Sequence, residues 1–107
     1  MIDFIERRYT ESLTLRQIAS AVNVSEREAQ RSFVAAMGHT PIQHLATHRL
    51  MVAQRMLLTT EDSLSTIAQA CGFSNQSYFG RCFREHFGCT PSEYRKRGWE
   101  DVGSEDR

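Results

Sequence analysis

Four side chains of one predicted helix, Arg27, Gln30, Arg31 and Val34, fall at spacings of three, four and seven and so share a face. That face lies roughly opposite Ala29 and Phe33, because two residues turn a helix by about 200°. Fifty residues further on, Ser77, Gly80, Arg81 and Arg84 repeat the arrangement, with Phe79, Phe83 and Phe87 on the far side. The guanidinium fork matches the paired acceptors of guanine, the glutamine amide matches adenine, and an α-helix fits the major groove of a duplex. The chemistry such faces offer is recognition of base edges. An ordinary solvated surface is the alternative for each, since Arg and Gln are exposed in most helices. Gly80 adds a smaller argument. A mid-helix glycine costs about 1 kcal/mol against alanine, which points to close approach of another backbone, with simple tolerance as the other reading.

The elements that would position these faces are written twice along the chain. Ile18-Ala19, Ala21, Val24-Ser25, Ala29, Arg31, Phe33, Gly38 and Thr40-Pro41 recur as Ile67-Ala68, Ala70, Phe73-Ser74, Phe79, Arg81, Phe83, Gly88 and Thr90-Pro91. The offset is 49 residues before the serine and 50 after it, so the second copy carries one extra residue near its helix start. Two copies are too few for a solenoid and describe a pair of similar modules joined by a connector. In the first copy Thr14 and Gln17 form a capping box, and Leu15, Ile18, Ala19 and Val22 follow at helical spacing. Asn23 tolerates the left-handed backbone of a helix end, Val24 is the apolar plug after it, and Ser25 with Glu28 is a second capping box. Gly72 and Phe73 take the places of Asn23 and Val24 in the second copy. Ala29, Phe33 and Met37 are the expected core face of the first longer helix. A short helix, a tight turn and a longer helix make a helix-turn-helix unit.

Between the units the pattern predicts one long helix. Thr40 caps it, Pro41 opens it, Gln43 completes a capping box, and Leu45, Leu50, Ala53, Met56 and Leu57 continue it to Leu58. Its 18 residues span about 27 Å. Successive major-groove faces on one side of a duplex lie about 34 Å apart, so this strut suits the presentation of two reading helices to adjacent grooves of one DNA molecule. A preceding amphipathic helix over Ile2–Tyr9 is expected to cover the first module with Ile2, Ile5 and Tyr9.

Other chemistry is thinly represented. Cys71, Cys82 and Cys89 lack paired spacing and, in a chain with no signal peptide, read as reduced thiols, with Cys71 and Cys82 filling apolar gaps. His44 and His48 sit four apart, a geometry that can hold zinc, yet no third ligand has suitable spacing, so a structural or surface role is favoured. No nucleophile, base and oxyanion arrangement or glycine-rich phosphate loop appears, so neither an enzyme nor a bound cofactor is expected. No run reaches membrane-spanning length, which points to a cytoplasmic protein. Thirteen basic and thirteen acidic residues cancel, whereas a basic footprint is the usual mark of a nucleic-acid binder. The last eight residues hold a charge of minus three, which leaves plus three on residues 1–99. Residues 100–107 read as an acidic disordered tail. Phosphate contacts would come from a few arginines and from the helix starts after Thr14, Thr40 and Thr90. Arg95, Lys96 and Arg97 are either such contacts or a charged last turn favoured by the helix dipole.

Gly72-Phe73, Phe79, Arg81, Phe83-Arg84, Phe87-Gly88, Thr90-Pro91 and Tyr94-Arg95 resemble the signature of the AraC/XylS family of bacterial transcription regulators, and Pro41, Arg49, Ala53 and Leu57 match its linker-helix pattern. The resemblance covers Ile2 to about Arg97. It implies an all-α, homeodomain-like fold of about seven helices spanning residues 1–99, with subdomains at about 1–40 and 63–97 joined by a linker helix at about 41–58. It implies sequence-specific regulation of transcription by binding double-stranded DNA as a monomer, with RNA polymerase as a second partner. Carried onto matching positions, the DNA contacts are Arg27, Gln30 and Arg31 in the first unit and Asn75, Gln76, Ser77 and Arg81 in the second. Ala29 stands where a larger aliphatic residue is usual and His44 where an aromatic like Tyr94 is usual, which implies looser packing of the first subdomain. Members of the family usually carry a further effector-binding or dimerising domain, so the chain reads as a small stand-alone member or an excised C-terminal domain. A helical protein-interaction module that has kept the fold and lost DNA binding is the competing functional class.

Overall fold

In a computed structural model, helices begin where capping side chains place them. The structure describes residues 1–105, with side-chain surroundings through Gly98. Seven helices run in the order α1 (Ile2–Arg7), α2 (Leu15–Ala21), α3 (Glu26–Met37), α4 (Pro41–Thr59), α5 (Leu64–Ala70), α6 (Gln76–Phe87) and α7 (Pro91–Glu105), and no strand occurs among the described residues. Thr14 and Gln17 close a reciprocal box at the start of α2. Thr40 and Gln43 do the same for α4, with the Thr40 amide 2.8 Å from Gln43 Oε1 and the Gln43 amide 3.1 Å from Thr40 Oγ1. Thr90 and Glu93 repeat that box at α7. Ser25 accepts from the Glu28 amide, but the Glu28 carboxylate does not return to the cap, because Arg31 and Ser32 hold it instead.

The turn between the two helices of each unit is built the same way in both copies. Asn23 sits at φ 60° and Gly72 at φ 90°, the left-handed region in which a side chain other than Asn or Asp is disfavoured. This twist lets the Val24 amide reach the Ala19 carbonyl at 3.1 Å and the Phe73 amide reach the Ala68 carbonyl at 2.9 Å. The Phe73 bond satisfies a carbonyl near the end of α5, and the Ala19 carbonyl near the end of α2 accepts from the Val22 amide as well, at 3.2 Å.

The chain divides into two compact units, Met1–Arg49 and Leu50–Arg107. The long helix α4 gives side chains to the cores of both units. Its first half gives Leu45 to a core with Ile5, Ile18 and Phe33, and its second half gives Leu50, Ala53 and Leu57 to a core with Ile67, Cys71, Phe73, Phe79 and Phe83. Two buried-side arginine clamps tie these cores to their surroundings. Arg49 donates from Nε to the Tyr9 carbonyl and from Nη2 to the Glu11 carbonyl, each at 2.7 Å. Arg95 donates to the Leu57 carbonyl at 3.0 Å and the Thr60 carbonyl at 3.3 Å, which commits it to the end of α4.

Several expected core positions of the first unit lie in the open. Ile5 is fully buried, but Ile2 is exposed, and Phe4 takes its place against the core. Val24 is 37% exposed where Phe73 is 6% exposed, so the shorter side chain does not plug its turn. Met37 is likewise exposed, whereas Phe87 packs on Phe83 and Tyr94. The residue matching Tyr94 is His44, whose ring stacks on His39 and meets Phe33 edge-on, leaving Met37 uncovered. His44 is held at both nitrogens, 3.0 Å from His39 and 2.9 Å from Glu6. Helix α7 continues through Glu105 into the segment read as an unstructured tail, and positions 106–107 lie outside the described residues.

Candidate nucleic-acid interface

Helices α3 and α6 each bury one side and expose the other. Ala29, Phe33, Phe79 and Phe83 are at most 3% exposed. Arg27, Arg31 and Val34 are exposed on α3, with Gln30 half-buried beside them. Gln76, Ser77, Arg81 and Arg84 are exposed on α6. Gln76, Ser77, Gly80, Arg81 and Arg84 line one open concavity together with Pro91 at the start of α7. A Cβ added at Gly80 would meet no atom of the described residues within 4 Å, so none of their backbone closes on it and the space beside it is open.

Neither Arg31 nor Arg81 stands alone on its helix. Arg31 Nη2 donates to Glu28 Oε2 at 2.6 Å, and Ser32 Oγ donates to Glu28 Oε1 at 3.0 Å. Those two hydrogen bonds, Ser32 first and then Arg31, hold the Glu28 carboxyl below the usual glutamate range. The Arg81 guanidinium lies 5.8 Å from the centroid of the Tyr78 ring, within cation–π range. Asn75 Oδ1 accepts from the Tyr78 amide at 2.7 Å, so Asn75 is the cap of α6 and its carbonyl oxygen is spent on the helix. Of the seven residues read from sequence, six are thus on the presented surfaces of α3 and α6, and Asn75 stands at the edge with a structural task. Glu28 and Tyr78 were missed as partners of the arginines. The signal was their position three residues earlier, a spacing at which helical side chains meet.

The other groups singled out by type find local roles. His48 packs edge-on to Tyr9 at 4.9 Å. Cys71 is buried with Sγ 3.8 Å from Met56 Sδ, Cys89 is buried, and Cys82 is half-buried against the core. Among the described residues no three His, Cys, Asp or Glu side chains group as metal ligands, and no helix is long and apolar enough to cross a membrane.

The family described as Helix-turn-helix domain matches residues 18–97. The chain belongs to the AraC/XylS-type helix-turn-helix family. A transcriptional regulator from Chromobacterium violaceum with an AraC-type DNA-binding domain is 34% identical, with a TM-score of 0.84 over 91% of this chain and 87% of that one. The DNA-binding domain of the global transcriptional factor AdpA, solved in complex with a target DNA, is 29% identical, with a TM-score of 0.86 over 90% of this chain and 86% of that one. The HTH-type transcriptional regulator ArgR of Pseudomonas aeruginosa is 37% identical over 93 residues, which is 87% of this chain and 28% of that protein. The chain spans 26% to 38% of the length of curated relatives that it matches. AraC/XylS-type membership accounts for the paired turns, the shared α4 and the repeated arginine face as parts of one architecture.

Proposed function

We propose that this domain is a sequence-specific, double-stranded DNA-binding regulator of transcription in which α3 and α6 read two adjacent major-groove segments. Arg27, Gln30 and Arg31 make the contacts of the first helix, and Gln76, Ser77 and Arg81 those of the second, with Asn75 at its start. One observation carries the reading. At the same point of two copies of a helix-turn-helix, an arginine stands outward on the second helix, directly opposite a buried aromatic face. The AdpA domain, alike in fold and bound to a target DNA, supports duplex DNA as the partner. RNA polymerase as a second partner rests on the family resemblance, and a cytoplasmic setting on the reading of the sequence above. Anisotropy titrations against random genomic fragments at two salt concentrations test it. Saturable binding whose log affinity falls linearly with log salt is the expected result. Selection from a random pool should return one asymmetric site. Enrichment of no sequence would end the claim of specificity, and the absence of salt-dependent binding would favour a protein-interaction module.

A further inference from the structure

The two reading helices hold their arginines by different means from the same position. In the register of the repeat, Glu28 corresponds to Tyr78 as Arg31 corresponds to Arg81. Arg31 therefore arrives at a partner with a carboxylate 2.6 Å from its guanidinium, and Arg81 arrives with a neutral ring. Both oxygens of that carboxylate have donors, Arg31 on one and Ser32 on the other, so its place on the helix face is fixed. The contrast extends over the first turn, which carries Glu26 and Glu28 in α3 and no acid in α6.

We propose that Glu28 is a specificity-determining residue of the first reading helix, acting with Arg31 as one unit that selects a guanine- and cytosine-containing step and rejects phosphate. The inference rests on the DNA-binding reading above. A lone exposed arginine is drawn to any phosphate, and such contacts carry no sequence information. With Glu28 attached, each approach of Arg31 to a phosphate brings one negative charge against another. Base edges impose no such penalty. Guanine offers O6 and N7 to the guanidinium, and a neighbouring cytosine offers its N4 amino group to the carboxylate. The exposed ion pair need add little to folding for this to hold, because surface pairs contribute little. What matters is the fixed charge on the presented face. The second helix, with Tyr78 in that position, sets no bonded carboxylate against Arg81, so it lacks this penalty against phosphate and is the less discriminating of the two readers.

Glu28→Gln keeps the length and hydrogen-bonding capacity of the side chain and removes its charge. Freed to contact one phosphate, Arg31 in this variant should tighten binding to random duplex about eightfold at 0.1 M salt, and steepen the log–log salt slope by about 0.9. Affinity for the selected site should rise less, so the ratio of specific to random binding falls. Oligonucleotides selected by the variant should lose the cytosine preference at the step facing α3. Tyr78→Glu is the reciprocal test and should weaken random binding and flatten its slope. Equal changes on selected and random DNA, or an unchanged ratio in both variants, would overturn the role of Glu28 while leaving the DNA-binding reading intact. A wild-type chain that binds no duplex would overturn both.

Discussion

Arg81 is the residue whose substitution separates the two kinds of contact an arginine can make. It is exposed, set over Tyr78, and placed with Gln76, Ser77 and Arg84 around an open concavity. If its fork reads a base, Arg81→Ala should cost about 1–3 kcal/mol at the selected site and relax preference at one position. Arg81→Lys should retain the salt slope and lose most of that discrimination, since an ammonium is a point charge without the bidentate geometry. An equal loss on every sequence, measured by anisotropy on selected and scrambled duplexes, would make Arg81 a phosphate contact instead. Arg95 shows how residue type alone misleads at this scale. It belongs to a basic run that sequence offers equally to phosphate, yet its donors face the Leu57 and Thr60 carbonyls. Nothing in the local sequence distinguishes it from Lys96 and Arg97, both exposed, because the acceptors lie more than thirty residues away.

Caps and turns made the helices legible, and tertiary cover decided what they buried. Thr14, Thr40 and Thr90 announce α2, α4 and α7 because each satisfies amide groups that have no partner within the helix. The repeat then identifies the presented face, since a buried Phe79 and Phe83 fix the opposite side. Periodicity could not show that Val24 and Met37 would be left open. That depends on the side chains arriving from elsewhere, where His44 bonds to Glu6 and His39 instead of covering Met37 as Tyr94 covers Phe87. Asn75 joins element to function, and Asn75→Asp separates them. Aspartate keeps the oxygen that accepts from the Tyr78 amide and suits the positive end of α6, so melting should be unchanged or slightly raised. If Asn75 borders the DNA interface, the added charge opposes phosphate and DNA affinity should fall on all sequences; an unaltered affinity would place Asn75 outside the interface. The Thr90–Glu93 box predicts acid sensitivity at α7. Bonds from the Thr90 amide, and with its hydroxyl, hold the Glu93 carboxyl below the usual range. A carboxylate favoured in the folded state stabilises fully above its unfolded value, about pH 4.3, and that contribution is lost as pH falls through the lower folded value. Thermal melts from pH 6 to pH 3 should show Glu93→Gln losing less stability over the acid limb than the wild type. Parallel curves would show that the box does not titrate.

At the scale of the molecule, one repeated plan has been filled to two different depths, and this should set where the chain opens first. Phe73 and Phe79 stand where the first unit has Val24 and Ala29, and Phe87 and Tyr94 stand where it has Met37 and His44. Full burial of one large apolar side chain is worth about 1.5–3 kcal/mol, so the exchange of Ala29 for Phe79 and of an exposed Val24 for a buried Phe73 favours the second unit by several kcal/mol. The first unit recovers part of this through α1, whose Ile5 is buried in its core, and through the Arg49 clamp on Tyr9 and Glu11. Neither replaces an aromatic cluster in which Phe73, Phe79, Phe83, Phe87 and Tyr94 are linked by ring contacts of 4.4–6.1 Å. Regions with fewer buried apolar contacts open at lower free energy, and amide exchange reports that opening residue by residue. Exchange in the free protein should therefore be faster over α2 and α3 than over α5 and α6, with α4 divided near Arg49 into a less and a more protected half. Uniform protection along α4 would show instead that the shared helix locks both units into one cooperative transition. If the first unit is the softer one, a duplex carrying a selected site should slow its exchange more than that of the second, because binding stabilises whichever region must be ordered to read the DNA. Protection rising only in α5 and α6 would mean that the second helix-turn-helix binds alone and that the Arg31 face takes no part in recognition.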